Sequence, residues 1–439
     1  MRSVTTAFDM VSATTTIPLS SLGAPFYIGS VQHLHAVPGH PDWMVSETTE
    51  AGSVFDVGSI FAIPGSDRAR ALFRHVLYQR LAQPETWQRV NRLIESNPDL
   101  TPEFLEETRE IRCSLSSNGA STHHLGMVDA TTGEVITSGV PANPSVFNLV
   151  QRFPVQKPKP FRMLGTTLFD YPPPFADGMV SLEYLVRFGL TSASSVWQKY
   201  QSLSSAARKE FLVSHGLEQE PEVWKPLPRP LVDFSTKYEP EDRALSRQEA
   251  LFVSGLHAPD FASSAQLALL GGMVVREMLG ELELTLWDLK WEFALSEGTL
   301  YFVDTIDTDS VRATLMLERH GRRFHSHINK QAMRDYYRLI HKEWMEGIKT
   351  AKSTARAKGI PFQTELTTGQ SNGVYPQNPE VESDFIALQA EKMETVFHWL
   401  LGKLTGANAA SQLRGIAEEE LSFYEQQGAL DALHNINGA

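Results

Sequence analysis

A single cysteine, Cys113, stands in 439 residues. One thiol cannot close an intramolecular disulfide or supply the paired thiolates of a structural zinc site, so neither device staples this fold. An unpaired thiol suits a reducing cytoplasm, the expected compartment. No apolar run reaches the ~18 residues that a membrane-spanning helix needs, so no membrane partner is expected. Cations are in deficit, with 39 Lys and Arg against 52 Asp and Glu and a net charge of −13. That balance argues against a broad basic face for nucleic acid but leaves room for a local pocket around one phosphate. The first residues lack the apolar core of a signal peptide, and residues 1–22 read as a flexible leader. No Walker-type phosphate loop occurs, and Gly65-Ser66-Asp67 lacks the frame of a nucleophile elbow. No internal repeat is found. His75, His325 and His327 are isolated and His123-His124 lies in a polar stretch, so the histidines form no metal set and suit core or surface roles.

What is present is an ordinary globular composition, 42% hydrophobic and 21% charged, with enough chain for two domains or one with insertions. Strand signals come early, helix signals late, and the two interleave between, which predicts an α+β architecture. Residues 25–46 read as a hairpin around Pro38-Gly39. A helix is expected from Arg68 to about Leu81, capped by Ser66-Asp67, and residues 85–110 are helical. Residues 111–150, rich in Ser, Thr, Gly and Asn, look like an irregular insertion, and 154–160 like a stiff linker. Strands are expected at 161–168, 179–188 and 231–237, and a strong amphipathic helix at 263–279. Residues 328–352, 383–404 and 410–433 read as helices and 354–380 as a polar loop. The expected division is an N-terminal lobe, 23–178, with an insertion at about 68–160, and a C-terminal lobe, 179–439, with a helical tail.

The chain is organised around Leu286-Trp-Asp-Leu-Lys-Trp-Glu-Phe293. Its alternation sends Asp288, Lys290 and Glu292 to one face and Leu289, Trp291 and Phe293 to the other. After a turn at 296–298, a second strand ends in Asp304, Asp307, Asp309 and Arg312. An acid, base, acid face beside an acid-rich strand end reads either as a solvated surface with cross-strand ion pairs or as a Mg2+-nucleotide site. Arg187 at a strand end, followed by a hydroxyl-rich turn reaching Ser195 at a helix start, suits a phosphate; a rim arginine and a serine cap is the plainer reading. Ser235-Thr236-Lys237 with Asp242 is a reactive grouping or a surface turn. Lys330 and Arg334, at i and i+4, share one helix face.

In this order the motifs resemble SAICAR synthetase, the phosphoribosylaminoimidazole-succinocarboxamide synthase family. The residues that carry the resemblance are Glu183-Tyr-Leu-Val-Arg187, Ser195, Ser235-Thr-Lys237 with Asp242, Asp288-x-Lys290-x-Glu292, Asp304 to Arg312, and Asn329-Lys330-Gln331 with Arg334. It covers roughly 25–65 and 161–340 and is strongest from 179 onward. It implies a two-lobed α+β fold and an ATP- and Mg2+-dependent ligase that joins aspartate to the carboxylate of an aminoimidazole nucleotide through an acyl phosphate. Glu292 and Asp309 would lie on the metal side, and Glu183 and Lys290 toward ATP. Arg187 and Ser195 would hold the ribose phosphate, with Lys330 and Arg334 as further contacts. Lys237, Asp242, Lys290 and Arg312 would line the reaction centre or the aspartate pocket.

The sequence also departs from the family. Gly29-Ser-Val-Gln32 carries no lysine where the family has a G-K-x-K pattern, Glu50 to Asp56 lacks the family's arginine, and Ile63-Pro-Gly-Ser66 lacks a further lysine. Arg70 and Arg74 are the nearest cations that could replace them. The departures point to a diverged member acting on a related nucleotide or nucleoside carboxylate, as a specialised purine-like or nucleoside pathway would need. An ATP-independent enzyme and a catalytically silent nucleotide-binding protein are the other readings of the same scaffold. The long C-terminal helices are expected to offer an interface, a homodimer among the options.

Overall fold

The computed structural model describes residues 15–438, apart from 98, 99, 216, 218 and 329. Most of the expected leader, and Asn329, therefore lie outside the described residues. The chain is α+β. Its N-terminal sheet has six antiparallel strands in the order Tyr27–Ile28, Gln32–Val37, His40–Thr48, Pro144–Gln151, His124–Asp129, Val135–Ile136. His124–Asp129 and Pro144–Gln151 are thus inner strands of this sheet, and Val135–Ile136 its edge, rather than parts of an irregular insertion. Their polar letters hid the strands because they are spent locally. Asp129 accepts from the main-chain amides of Thr131, Thr132 and Asn143, Ser145 donates to the Val128 carbonyl, and Asn148 donates to the Ala71 carbonyl.

Asn148 reaches the helix that covers the sheet, Ser66–Ala82. That helix starts at Ser66, two residues before the expected Arg68, on Gly65 in the left-handed region at φ 73° and without a side-chain cap. Both Arg70 and Arg74 on it are buried. The expected strand at 161–168 is instead a small hairpin, Lys159–Met163 with Thr166–Asp170, turning at Leu164-Gly165.

The second sheet has eight strands. Along its main path run Ala244–Leu245, Pro226–Thr236, Leu182–Gly189, Thr285–Ser296, Val311–Arg319 and Arg322–His327, while Gly178–Met179 and Thr299–Val303 also pair with Thr285–Ser296. The hairpin Val311 to His327 was not legible in the sequence. Helix Ala258–Gly280 packs across Thr285–Ser296 and Leu182–Gly189. Gly271 permits this approach, since a Cβ there would stand 2.7 Å from the Phe302 ring.

The expected helix 328–352 is two, Lys330–Ile340 and Lys342–Lys358, broken at His341. The expected loop 354–380 contains a helix, Phe362–Ser371, held by Lys358 and Tyr375 on Glu365. Ser383–Leu400 packs on Ser66–Ala82 and on Gly406–Gln426, and Leu430–Asn437 packs on Arg322–His327. The apolar faces of these C-terminal helices are therefore used within the chain. Lys392, donating to the His327 carbonyl and ion-paired with Glu420, pins two of them to the sheet. Among the described residues no helix is long and apolar enough to cross a membrane.

Candidate functional site

Strand pairing builds the first cluster. Leu182–Gly189 lies between Pro226–Thr236 and Thr285–Ser296, with Glu183 opposite Ser235 and Leu185 opposite Lys290. Alternation then puts Glu183, Lys290 and Glu292 on one face. The Lys290 ammonium donates to Glu183 at 2.5 Å and stands 3.4 Å from Glu292. Ser235 donates to the other Glu183 oxygen at 2.9 Å. Lys237, just past its strand, is ion-paired with Glu292 and lies 3.9 Å from Asp304. Asp242 forms no ion pair among the described residues, yet Lys237 and Lys290 both feel its charge.

Burial and charge compete here. Burial lowers the Lys237 pKa, outweighing the attraction of Asp304. Burial also opposes the charge on Lys290, but Glu183 and Asp304 prevail and raise its pKa. Asp304 ends below the usual carboxylate range, because Lys237 and Lys290 outweigh its burial. Asp242 is pushed up by burial and by Glu183. The two lysines thus occupy different electrostatic settings on one surface.

The N-terminal sheet closes the cluster from the other side. Gln32 extends its amide to Asp304 at 3.5 Å and accepts from Ser46 at 3.1 Å. Asp304 has a left-handed backbone, φ 63°. Its amide donates to His123 Nδ1 at 3.3 Å, and its carbonyl accepts from the Tyr78 hydroxyl at 2.7 Å. His123 and Tyr78 come from the stretch expected to lie outside the functional region. His124 behind them pairs with His75 at 2.8 Å and stacks near Tyr78. His75, His123 and His124 are therefore grouped around Tyr78, although sequence spacing gave no sign of it.

Arg74 grips Asp307 through Nε at 2.8 Å and Nη2 at 2.5 Å, and Arg70 donates to Asp309 at 2.9 Å. These arginines hold the 304–309 loop. Asp309 therefore sits on Arg70, while it is Asp304 that shares Lys237 with Glu292. Asp304 stood in the sequence as the first acid of its segment and was not singled out as a site residue. Only the fold brings it to Glu292.

A second polar group forms at the far end of the strands. Arg187 donates to Asp233 at 2.5 Å and lies 3.7 Å from Asp288. Arg312 donates to Asp288 at 2.6 Å and to Thr191 at 3.3 Å. The hydroxyl facing Arg187, at 3.5 Å, belongs to buried Ser194; Ser195 is exposed at the helix start. Lys330 and Arg334 share one helix, and among the described residues neither forms an ion pair. Burial lowers the pKa of each, with Asp309 opposing at Lys330 and Arg312 adding to the effect at Arg334. The predicted residues therefore form a lysine–carboxylate cluster and an arginine-rich end, joined by the strand carrying Asp288, Lys290 and Glu292.

The lysine cluster has the chemistry of a hard-cation site. Glu183, Asp242, Glu292 and Asp304 set four carboxylates against the ammonium groups of Lys237 and Lys290, leaving an excess of two negative charges. Divalent magnesium is held by oxygen donors of this kind. In the present arrangement the ammonium groups lie among the carboxylates, and no three acidic or imidazole groups among the described residues are gathered as a metal shell.

A family model described as SAICAR synthetase matches residues 178–351. A putative phosphoribosylaminoimidazole-succinocarboxamide synthase of Archaeoglobus fulgidus is 29% identical over 267 residues, 59% of this chain and 73% of that protein. The phosphoribosylaminoimidazole-succinocarboxamide synthase of Thermoplasma acidophilum is 27% identical over 206 residues, 46% of this chain and 65% of that one. Among solved structures, SAICAR synthase from Saccharomyces cerevisiae complexed with SAICAR aligns with a TM-score of 0.46 and 17% identity, covering 89% of this chain and 98% of that one. A SAICAR synthetase in complex with ADP aligns with a TM-score of 0.42 and 14% identity, covering 81% and 99%.

Proposed function

We propose that this chain, whose residues 178–351 match the SAICAR synthetase model, is a diverged member of that family and an ATP-dependent ligase forming an amide between an amino acid and the carboxylate of an aminoimidazole-type nucleotide or related nucleoside. The observation that carries this reading is the cluster of Lys237 and Lys290 among Glu183, Glu292 and Asp304. Phosphoryl transfer to a carboxylate brings anions together, and fixed cations aimed at the transferring group lower that barrier.

Lys290 turns from Glu183 toward the nucleotide phosphates, and Lys237 neutralises charge on the group in flight. Glu292 and Asp304 would hold magnesium, which would supply charge screening between the phosphates and the incoming carboxylate. Asp309, paired with Arg70, acts from the next turn of the loop. In the first step a substrate carboxylate oxygen bonds to the γ-phosphorus as the bond to ADP breaks. In the second the amine bonds to the acyl carbon and inorganic phosphate departs. Asp242, whose raised pKa makes it a stronger base than an ordinary aspartate, takes the proton the amine sheds. Arg187, Arg312 and the hydroxyl of Ser194 or Ser195 bind the ribose phosphate, and Arg334 reinforces that end.

Calorimetric titration of ATP with and without magnesium tests the reading. Magnesium-dependent binding that is lost in Lys290→Met supports it, and no binding under either condition overturns it. One feature favours a second reading, an ATP-independent enzyme or nucleotide-binding protein: the strand facing Asp304 offers the neutral amide of Gln32 rather than a cation.

A further inference from the structure

The helix Leu430–Asn437 lies beyond the stretch that the family model matches, yet its end touches both elements that frame the arginine-rich end of the strands. The Ile436 carbonyl accepts from the Ser192 hydroxyl. Ser192 stands between Thr191, whose hydroxyl accepts from Arg312, and Ser194, whose hydroxyl faces Arg187. One residue on, Asn437 donates at 2.9 Å to Asp335, on the helix that carries Lys330 and Arg334. Gly438 then bridges to Phe324 and fixes the segment on the sheet.

Hydrogen-bond polarity carries this contact to Arg334. Asp335 is 2% exposed, and an ionised carboxylate can only accept. One of its oxygens accepts from Asn437 and the other from Gln331 at 2.7 Å. Gln331 therefore presents its nitrogen to Asp335, which leaves its oxygen for Arg334, 3.4 Å away. Burial pushes the Asp335 carboxyl up, and the Asn437 amide leads the groups that oppose it. Without Asn437 the acid takes a proton more readily, becomes a donor, and no longer fixes which way Gln331 faces.

The guanidinium so held is short of a counter-charge. Arg334 forms no ion pair among the described residues, and the side chain that accepts from it is a neutral amide. Burial and then the charge of Arg312 lower its pKa, so it stands near a second cation. Arg187 and Arg312 by contrast already share Asp288. A phosphate arriving here gains from Arg334 a charge-assisted bond that no described carboxylate takes up.

We propose that Asn437 is a positioning residue for a subsite that binds a sugar phosphate monoester: through Asp335 and Gln331 it aims the Arg334 guanidinium, while Ile436 beside it holds the 190–195 turn. One short segment thereby sets the separation of the two sides that the phosphate must meet. The proposal rests on the reading of this end as the phosphate site, and it extends the substrate site to a helix outside the matched region.

The test is calorimetry on the full chain with ribose 5-phosphate, with ribose, and with ADP and magnesium. Asn437→Asp sets two carboxylates face to face and is expected to weaken ribose 5-phosphate about tenfold, with ADP affinity unchanged. Adding Asp335→Asn restores the bond with donor and acceptor exchanged and still offers Gln331 an oxygen, so the double variant should recover most of the affinity. Ser192→Ala removes the other tie without burying a charge and should weaken the same ligand, which decides the matter if Asn437→Asp does not fold. Unchanged ribose 5-phosphate affinity in the folded variants, an equal loss toward ADP, or a double variant no better than Asn437→Asp would overturn the proposal. A parent chain that does not distinguish ribose 5-phosphate from ribose removes the phosphate reading of this end and the proposal with it. Asn437-dependent binding of ribose 5-phosphate in a protein that never binds ATP sustains the proposal and removes the ligase reading alone.

Discussion

The Tyr78 hydroxyl donates at 2.7 Å to the main-chain carbonyl of Asp304, a residue with a left-handed backbone whose amide is taken by His123. Such a conformation is costly for a residue with a side chain and persists where its surroundings hold it. The two bonds fix the direction of the Asp304 carboxylate toward Lys237. Tyr78→Phe should cost about 1–2 kcal/mol of stability, read by denaturant unfolding. Under the ligase reading it should also lower kcat more than it raises the KM for the carboxylate substrate, because Tyr78 acts through Asp304. An unchanged kcat in a variant with reduced stability would confine Tyr78 to the fold.

Arg74 and Asp307 form a buried pair joining the N-terminal helix to the loop of the second sheet. Removing one partner leaves the other charge uncompensated in the interior. Arg74→Met is expected to cost about 3–5 kcal/mol. Arg74→Met with Asp307→Asn should cost much less than the sum of the single changes. Additive costs in a denaturation double-mutant cycle would mean the pair is not coupled.

Arg312 faces the open end of the strands and shares Asp288 with Arg187. Arg312→Gln should weaken a phosphorylated ligand by about 1.5–3 kcal/mol, the value of a charge-assisted hydrogen bond. Ribose 5-phosphate against ribose is the direct comparison. Equal loss for both ligands would take the phosphate away from this arginine.

Burial holds His75 and His325 neutral, each with a pKa lowered to about 4. The Gly139 carbonyl can only accept, so His75 carries its proton on Nε2 and accepts from His124 at Nδ1. Below their ordinary pKa of about 6.5 the unfolded chain binds protons that the folded chain refuses, so stability falls with falling pH. The contribution is complete above pH ~6.5 and is lost progressively down to about 4, on the order of 3 kcal/mol for each imidazole. Unfolding free energies measured across this window should fall by less in His75→Gln than in the parent. A pH dependence identical in parent and variant would contradict a neutral buried His75.

Periodicity was a sound guide wherever one face of an element is apolar. The strand 285–296 and the helix 258–280 were legible because burial on that face leaves a repeat of two or of 3.6 in the letters. Residues 124–151 escaped because Asp129, Ser145 and Asn148 look like loop residues until their main-chain partners are known. The hairpin 311–327 escaped for a related reason: Glu318, Arg322 and Arg323 mask a short alternation. Arg70 and Arg74 were read as cations free for a ligand, yet in the fold most of their hydrogen-bonding capacity goes to Asp307, Asp309 and main-chain carbonyls.

By itself the sequence determined the α+β class, the shared face of Asp288, Lys290 and Glu292, and the family resemblance. These are local in the chain, and a pleat or a motif needs no distant partner to be recognised. Only the tertiary structure decided that Asp304 rather than Asp309 shares Lys237 with Glu292, and that His123 and Tyr78 hold it there. Each of those relationships spans tens to hundreds of residues, and hydrogen bonding across such separations depends on how sheets and helices pack rather than on any spacing written in the chain.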